Sequence, residues 1–307
     1  MRTPEKELRT RAFTDFAEGR FEAGVQNLSE SSWWHDDASA LNGPFHLCFD
    51  QPGFGESLLL ASLLKRRTAN IESPIAVHAE CQARSILRHD GAFRVLSSKD
   101  ALRSPLAILR EALVGDLLRD PFTPGHSVTA VLDRGKRPRV GIAWESVGKS
   151  GCPIPGKNVP LDRFQTILAG VDADFIVFQR QLGIEDRQAC CRWRPGRFDF
   201  IGSSLLDDDD QSDILNQVAS LDVMVTISTT TAHMAGYLGI PTVLLAARRP
   251  NGFQWFWRAQ ADHGKLIYPS VDIILGGEGR DDWWTCCLAR AQASLRAILL
   301  ADTASAL

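Results

Sequence analysis

The sequence contains no C-x-x-C pair. Its seven cysteines include the adjacent pairs Cys190–Cys191 and Cys286–Cys287, a spacing that suits neither a zinc ribbon nor a dithiol redox motif. A basic excess is also missing: 34 Lys and Arg stand against 37 Asp and Glu, a net charge of −3, which is not a nucleic-acid footprint. "LLLASLL", Leu58–Leu64, is far too short to cross a bilayer. The start, "MRTPEKELRTRAF", is charged and lacks the apolar core of a signal peptide. These absences lead to the expectation of a cytoplasmic protein with reduced thiols, no nucleic-acid partner and no transmembrane segment. What is present is globular: 307 residues, 44% hydrophobic and 23% charged, suit one large or two ordinary domains.

Residues 1–40 read as a helical cap. "FTDFAEGRFEAGVQNL" carries apolar residues at helical spacing, broken at Gly19, like a single tetratricopeptide unit. No second copy follows, and one repeat cannot bury its own face, so it is expected to pack on the main body. Residues 41–136 alternate strand-like runs ("FHLCF", "IAVHAE", "FRVLS") with helix-like ones ("ESLLLASLLKRR", "QARSILRHD"). "LDRGKRPRV", with Arg134, Lys136, Arg137 and Arg139, reads as a solvated linker. Residues 137–307 repeat the rhythm: "RVGIAWE", "DFIVFQ", "RFDFIG", "VMVTIS", "PTVLLA" and "VDIILGG" as strands, with helices over "PLDRFQTILAG", "QSDILNQVASL" and "TTAHMAGYLG". "DDWWTCCLARAQASLRAILLAD" reads as a long terminal helix. Such alternation predicts an α/β fold of two Rossmann-like lobes with parallel sheets. Ligands of these sheets bind beyond the carboxyl ends of the strands, so candidate residues lie in the turns that follow them.

The strongest turn is "VTISTTTAHMAGYLGIPTVLLA". Four hydroxyl residues, Ser228, Thr229, Thr230 and Thr231, join a strand to a helix, with His233 in the first helical turn. Free N–H groups and the dipole make a helix N-terminus an anion site, and one N-cap needs one hydroxyl rather than four. Gly236 and Gly239 permit close packing and a left-handed helix end. A second turn, "GIAWESVGKSGCPIPGKNVPL", is a long Gly- and Pro-rich loop containing Ser146 and Lys157. Its lysine either returns to the strand ends to neutralise a diphosphate or stands exposed on the loop. Gln179 and Arg180 follow the strand "FIVF" and either reach the same ligand or cap the loop. In "FDQPGFGESLLLASLL", Gly53, Phe54 and Gly55 precede Glu56 at a helix start. That carboxylate serves either as a chemical group or as a partner of the helix dipole. Trp255 and Trp257 read as core rather than a stacking platform, and Asp207–Asp210 as N-terminal helix charge rather than a metal site.

In this order, "QPGFGES … RVGIAWES … KNVPLDRF … FIVFQRQ … LDVMVTISTTTAHMAGYLGIPTVLLA … LIYPSV … DDW" resembles bacterial glycosyltransferases of the GT-B fold, and among them the heptosyltransferase-like enzymes often fused to tetratricopeptide repeats. The resemblance covers about residue 45 to residue 300. It implies two lobes with sheets facing across a cleft, 41–136 for the acceptor and 137–307 for a nucleotide-diphosphate sugar, and an inverting, metal-independent transfer without a cofactor. Ser228–Thr231 and His233 would match the diphosphate-binding turn, Lys157 the family's basic residue before its Pro-Leu, and Gln179 and Arg180 its Leu-Gln-Lys-type turn. Glu56 would match the acidic general base beside the acceptor-side loop of Gly53, Phe54 and Gly55. Lys157 and His233 join Glu56 as the catalytic set, and Ser146 joins the donor-binding one. Two positions depart from the pattern: Ser228 and Glu56 both stand where the family commonly has Asp. The acceptor class (glycan, lipid-linked saccharide or protein) stays open, as does peripheral attachment at the inner membrane. Two other readings remain: a non-catalytic nucleotide-sugar-binding or scaffold protein, and a nucleotide-sugar epimerase or hydrolase on the same fold.

Overall fold

The computed structural model describes residues 4–18, 20–30, 45–46, 54–67, 69, 72–79, 81–96, 107–108, 136–147, 153, 156–206, 210–248, 255–263, 267–277 and 282–304. It divides into two compact units, Met1–Thr123 with Arg249–Ile267, and Pro124–Arg248 with Tyr268–Leu307.

The first unit opens with a helical hairpin, α1 (Pro4–Ala17) and α2 (Phe21–Ser29). A buried carboxylate fixes its corner. Asp15 accepts from Arg20 Nε at 2.9 Å and Nη2 at 2.5 Å, and from Asn27 Nδ2 on the second helix at 2.8 Å. A carboxylate this enclosed needs such donors, because burying it unpaired is costly. The unit's sheet is parallel, in the order β3-β2-β1-β4, from β1 (Phe45–His46), β2 (Ile75–His78), β3 (Phe93–Val95) and β4 (Ala107–Ile108). Helices α3 (Phe54–Arg67) and α4 (Cys81–Leu87) follow β1 and β2. The "LLLASLL" run is the buried body of α3, with Leu58, Leu59, Leu60, Ala61, Leu63 and Leu64 all in the core.

The second unit carries β5 (Arg139–Ala143), α5 (Leu161–Ile167), β6 (Asp174–Val177), α6 (Ile184–Trp193), β7 (Phe198–Phe200), α7 (Ser203–Leu206), α8 (Ser212–Ala219), β8 (Val223–Ile227), α9 (Thr230–Leu238) and β9 (Thr242–Ala246). After α10 (Trp255–His263), which belongs to the first unit, it resumes with β10 (Val271–Leu275) and α11 (Leu288–Ala304). Its six strands are all parallel, in the order β10-β9-β8-β5-β6-β7. The central strands "VMVTI" and "TVLLA" are buried at every position. That is why they read as unbroken apolar runs: both faces of a parallel sheet are covered. The chain winds outward from β5 through β6 to β7, then returns to β8 on the other side of β5. Open α/β sheets take their ligands beyond the carboxyl ends of the strands at such a reversal, here β5 and β8.

Three features differ from the sequence expectation. The terminal helix begins at Leu288 rather than near Asp281. Trp283 is tied into a turn, its carbonyl accepting from Gly277 N at 2.9 Å. Helix α6 goes unread in the sequence because "IEDRQACCRW" buries only Cys190 and so shows almost no apolar stripe. Helix α10 also goes unread, although "FQWFW" marks its start. Trp257 is fully buried, packed edge-on to Phe256 at 4.9 Å, in agreement with a core role. Its segment is held in the first unit by Gln260 Oε1, which accepts from Ile267 N at 3.0 Å, and by Arg66 Nη2, which donates to Ile267 O at 2.5 Å. Within "KRPR", Arg137 lies 3.4 Å from Asp174 of β6, and the backbone N–H of Arg139 donates to Asp222 at 2.6 Å.

Candidate functional site

The turn after β5 is held open by two amide side chains. Gln179, at the end of β6, is buried. Its Oε1 accepts from the backbone N–H of Trp144 at 3.2 Å and of Glu145 at 3.3 Å, while its Nε2 donates to Glu145 O at 3.0 Å. Asn158 pins the far side of the loop. Its Oδ1 accepts from Ser146 N at 2.8 Å, and its Nδ2 donates to Glu145 Oε1 at 3.4 Å. Val159 N closes the loop on Trp144 O at 3.0 Å. Gly156 makes the return at φ 64°, a backbone that favours glycine. These contacts bring Lys157 back to the strand ends instead of leaving it exposed on the loop.

The turn after β8 leads straight into α9. Thr229 is the N-cap, and its Oγ1 accepts from Ala232 N at 3.4 Å. The direction of the other hydroxyl bonds follows from one fixed point. Thr226 donates to Ile227 O at 2.8 Å, so its oxygen accepts from Thr229 at 3.2 Å. With that proton committed, Thr229 accepts from Thr231 at 2.8 Å. Thr231, Thr229 and Thr226 therefore spend their protons inward, and the run of four hydroxyls does not act as four donors. The hydroxyls of Thr229 and Thr231 hold the turn together. Ser228 is buried beside them, and Thr230 is exposed at the first helical position. Capping satisfies the Ala232 amide, whereas the amides of Thr230 and Thr231 have no hydrogen-bond partner among the described residues. These are the orphan donors at the positive end of a nine-residue helix.

His233 lies one turn in and is buried. Its Nδ1 is 3.1 Å from the hydroxyl of Tyr268, and the two rings meet edge-on at 5.8 Å. Burial, helped by the charge of Lys157, pushes its pKa down to about 3, so the imidazole is neutral at physiological pH. The charge of Lys157 reaches His233, so the β5 loop lies near the first turn of α9. Lys157 is half-buried, has no hydrogen-bond or ion-pair partner among the described residues, and is pushed down to about 8 by desolvation. A cation with no counter-ion among the described residues, near helix amides with no partner among them, is a combination that suits an anion.

Ser146 and Lys157 lie in the turn after β5, and Ser228, Thr230 and His233 in the turn after β8 and the first turn of α9, with the charge of Lys157 reaching His233. The amide of Gln179 is consumed by the backbone of 144 and 145, so it positions the loop. Arg180 is exposed beyond β6. In the first unit Gly55 is buried and Glu56 lies in the first turn of α3. Gly53 and the side chains of Phe54 and Glu56 lie outside the described residues. Of the acidic run only Asp210 is described. It accepts from Ser212 N at 3.0 Å at the start of α8, as a helix-end role requires. Sequence reasoning missed Asn158, Thr226 and Tyr268. Asn158 and Tyr268 sit in "KNVPL" and "LIYPSV", beside residues that were noticed, but only the fold shows what they touch.

No family model matches the sequence, and no curated protein matches it. Among solved structures, the chain is similar to the E. coli ADP-heptose LPS heptosyltransferase II, with a TM-score of 0.50 and 14% identity over 83% of this chain and 98% of the other. The likeness, together with the two parallel sheets, shows an α/β fold of the GT-B type.

Proposed function

We propose that the protein is a glycosyltransferase that moves a sugar from a nucleotide-diphosphate donor to an acceptor hydroxyl. The observation that carries this reading is Lys157, an enclosed cation with no counter-ion among the described residues, near two α9 amides that have no partner among them. A diphosphate would supply the missing charge. As the glycosidic bond breaks, negative charge grows on the leaving diphosphate, so Lys157 and the helix end are worth more in the transition state than in the ground state. Neutral His233 contributes a hydrogen bond rather than a charge. Glu56 is assigned as the base that takes the acceptor's proton, on its place at the start of α3 after a parallel strand. The fold shared with a heptosyltransferase supports the reaction class, and the helical hairpin at the N-terminus supports the tetratricopeptide-associated branch. An inverting outcome and independence from metal ions belong to the same proposal.

The test is a calorimetric titration of ADP, UDP and GDP, followed by an assay of the matching nucleotide sugars with and without acceptor sugars. Binding of a nucleoside diphosphate that falls at least tenfold in Lys157→Ala supports the site; unchanged affinity overturns it. One observation favours a second reading. Ser228 stands where the resemblance has a carboxylate, so the chain could hold the donor without turning it over. An intact donor after prolonged incubation with a broad acceptor panel would select that reading.

A further inference from the structure

We propose that Asn158 is a positioning residue that holds the Glu145 carboxylate away from Lys157, so that the lysine stays unpaired for an anion. The inference rests on the reading of Lys157 as part of an anion site. Glu145 is the only carboxylate between the end of β5 and the start of α5, residues 144–160. The neck of the loop brings it past the lysine. Val159 N donates to Trp144 O at 3.0 Å and Ser146 N to Asn158 Oδ1 at 2.8 Å, so residues 157–159 run alongside residues 144–146. Yet the acid and the base form no ion pair, with each other or with any other described residue.

Their electrostatics agree. Burial raises the Glu145 carboxyl above its ordinary value, with the charge of Asp186 on α6 adding to it, and burial lowers Lys157 to about 8. A salt bridge would move both the other way. The charge of Lys157 reaches His233 on α9 instead. Helices α6 and α9 follow β6 and β8, the two neighbours of β5 in the sheet, so the acid acts on one side of β5 and the lysine on the other. Asn158 keeps them so. Its oxygen meets the Ser146 N–H, which fixes the amide and leaves Nδ2 to donate to Glu145 Oε1 at 3.4 Å. Gln179 holds Glu145 at its backbone N–H and carbonyl. A neutral amide gives the carboxylate a donor without supplying a charge, and a cation held unpaired needs no rearrangement before it takes a ligand.

The experiment compares wild type, Asn158→Ala, Glu145→Gln and the double variant by pyrophosphate titration. The ionisation of Lys157 is followed alongside, from the pH dependence of its acylation in mass spectra. Asn158→Ala frees the carboxylate to pair, so Lys157 should titrate higher than in the wild type. If the pair forms in about nine molecules in ten, pyrophosphate affinity falls about tenfold. Adding Glu145→Gln removes the competing charge; it should return Lys157 to near 8 and restore most of the affinity. A loop that had merely loosened could not be repaired in this way. A double variant that binds as weakly as Asn158→Ala overturns the proposal, as does an Asn158→Ala protein that binds like the wild type. Glu145→Gln alone keeps an acceptor for Asn158 and should leave affinity and Lys157 unchanged. A clear gain in affinity there overturns the proposal too, because the acid would already hold the lysine, and this measurement leaves Asn158 in place. If pyrophosphate fails to bind the wild type, the anion-site reading fails, while the ionisation of Lys157 still decides the role of Asn158.

Discussion

Replacing Lys157 by methionine should make the unliganded protein more stable and weaken its hold on a diphosphate. Desolvation lowers the lysine from 10.5 to about 8, so at pH 7 it is charged and carries the cost of its enclosure. Between those two values the folded state binds fewer protons than the unfolded state. Stability therefore rises with pH across the window, and the cost is fully present below it. At about 1.36 kcal/mol per pH unit, the drop sets an upper bound of about 3 kcal/mol. Because the side chain is only half-buried, solvent screening reduces this to about 1–3 kcal/mol. Met keeps the aliphatic stem without the charge. Its melting temperature at pH 7 should rise by roughly 2–4 °C per kcal/mol, and the wild type's gain in stability between about pH 8 and 10.5 should vanish. In the same variant, affinity for pyrophosphate or a nucleoside diphosphate should fall at least tenfold. In the wild type that affinity should decline about tenfold for each pH unit above about 8, as the cation is lost. Thermal melts at a series of pH values, with and without ligand, check each part. A Lys157→Met protein that melts lower at pH 7, or that binds as tightly as before, would refute the account of Lys157 as an enclosed cation waiting for an anion.

Three further outcomes follow from the same geometry. Thr230→Val should weaken pyrophosphate binding several-fold without changing the melting temperature, whereas Thr231→Val should cost about 0.5–1.5 kcal/mol of stability by ending the inward chain of hydroxyls; paired titrations and denaturation curves separate them. Gly236→Ala should cost about 1–3 kcal/mol, because its Cβ meets the Tyr268 ring at 2.5 Å, and urea unfolding measures this. Glu56→Gln should leave donor binding and melting temperature near normal and lower turnover about 10²–10⁴-fold; near-normal turnover with a small loss of stability would return Glu56 to a partner of the helix dipole.

The element order was legible in the sequence wherever an element has two distinct sides or none exposed. "VMVTI" and "TVLLA" read as strands because burial on both faces leaves only apolar residues. Gly239 marked the end of α9 because only a left-handed residue, φ 76° here, closes a helix that way. Helix α6 was illegible for the opposite reason, since one buried cysteine in ten residues makes no stripe. The placement of 249–267 with the first unit was illegible because local pattern does not record which distant element a helix packs against.

For the candidate site, the sequence by itself determined the type of residue available at the end of each strand: hydroxyls and a histidine after β8, a lysine in the loop after β5, an acid at the start of α3. That much follows from alternation and from the rule that turns after parallel strands face ligands. The tertiary structure decided what each group can do there. Placing β8 next to β5 brings the charge of Lys157 to His233, with no counter-ion for the lysine among the described residues. Hydrogen-bond direction turns two of the four hydroxyls into internal struts, and Gln179 into a clamp on the loop. Charge, burial and proton direction are properties of neighbours in space, and a strand order in which the tenth, ninth and eighth strands precede the fifth puts those neighbours far apart in the chain.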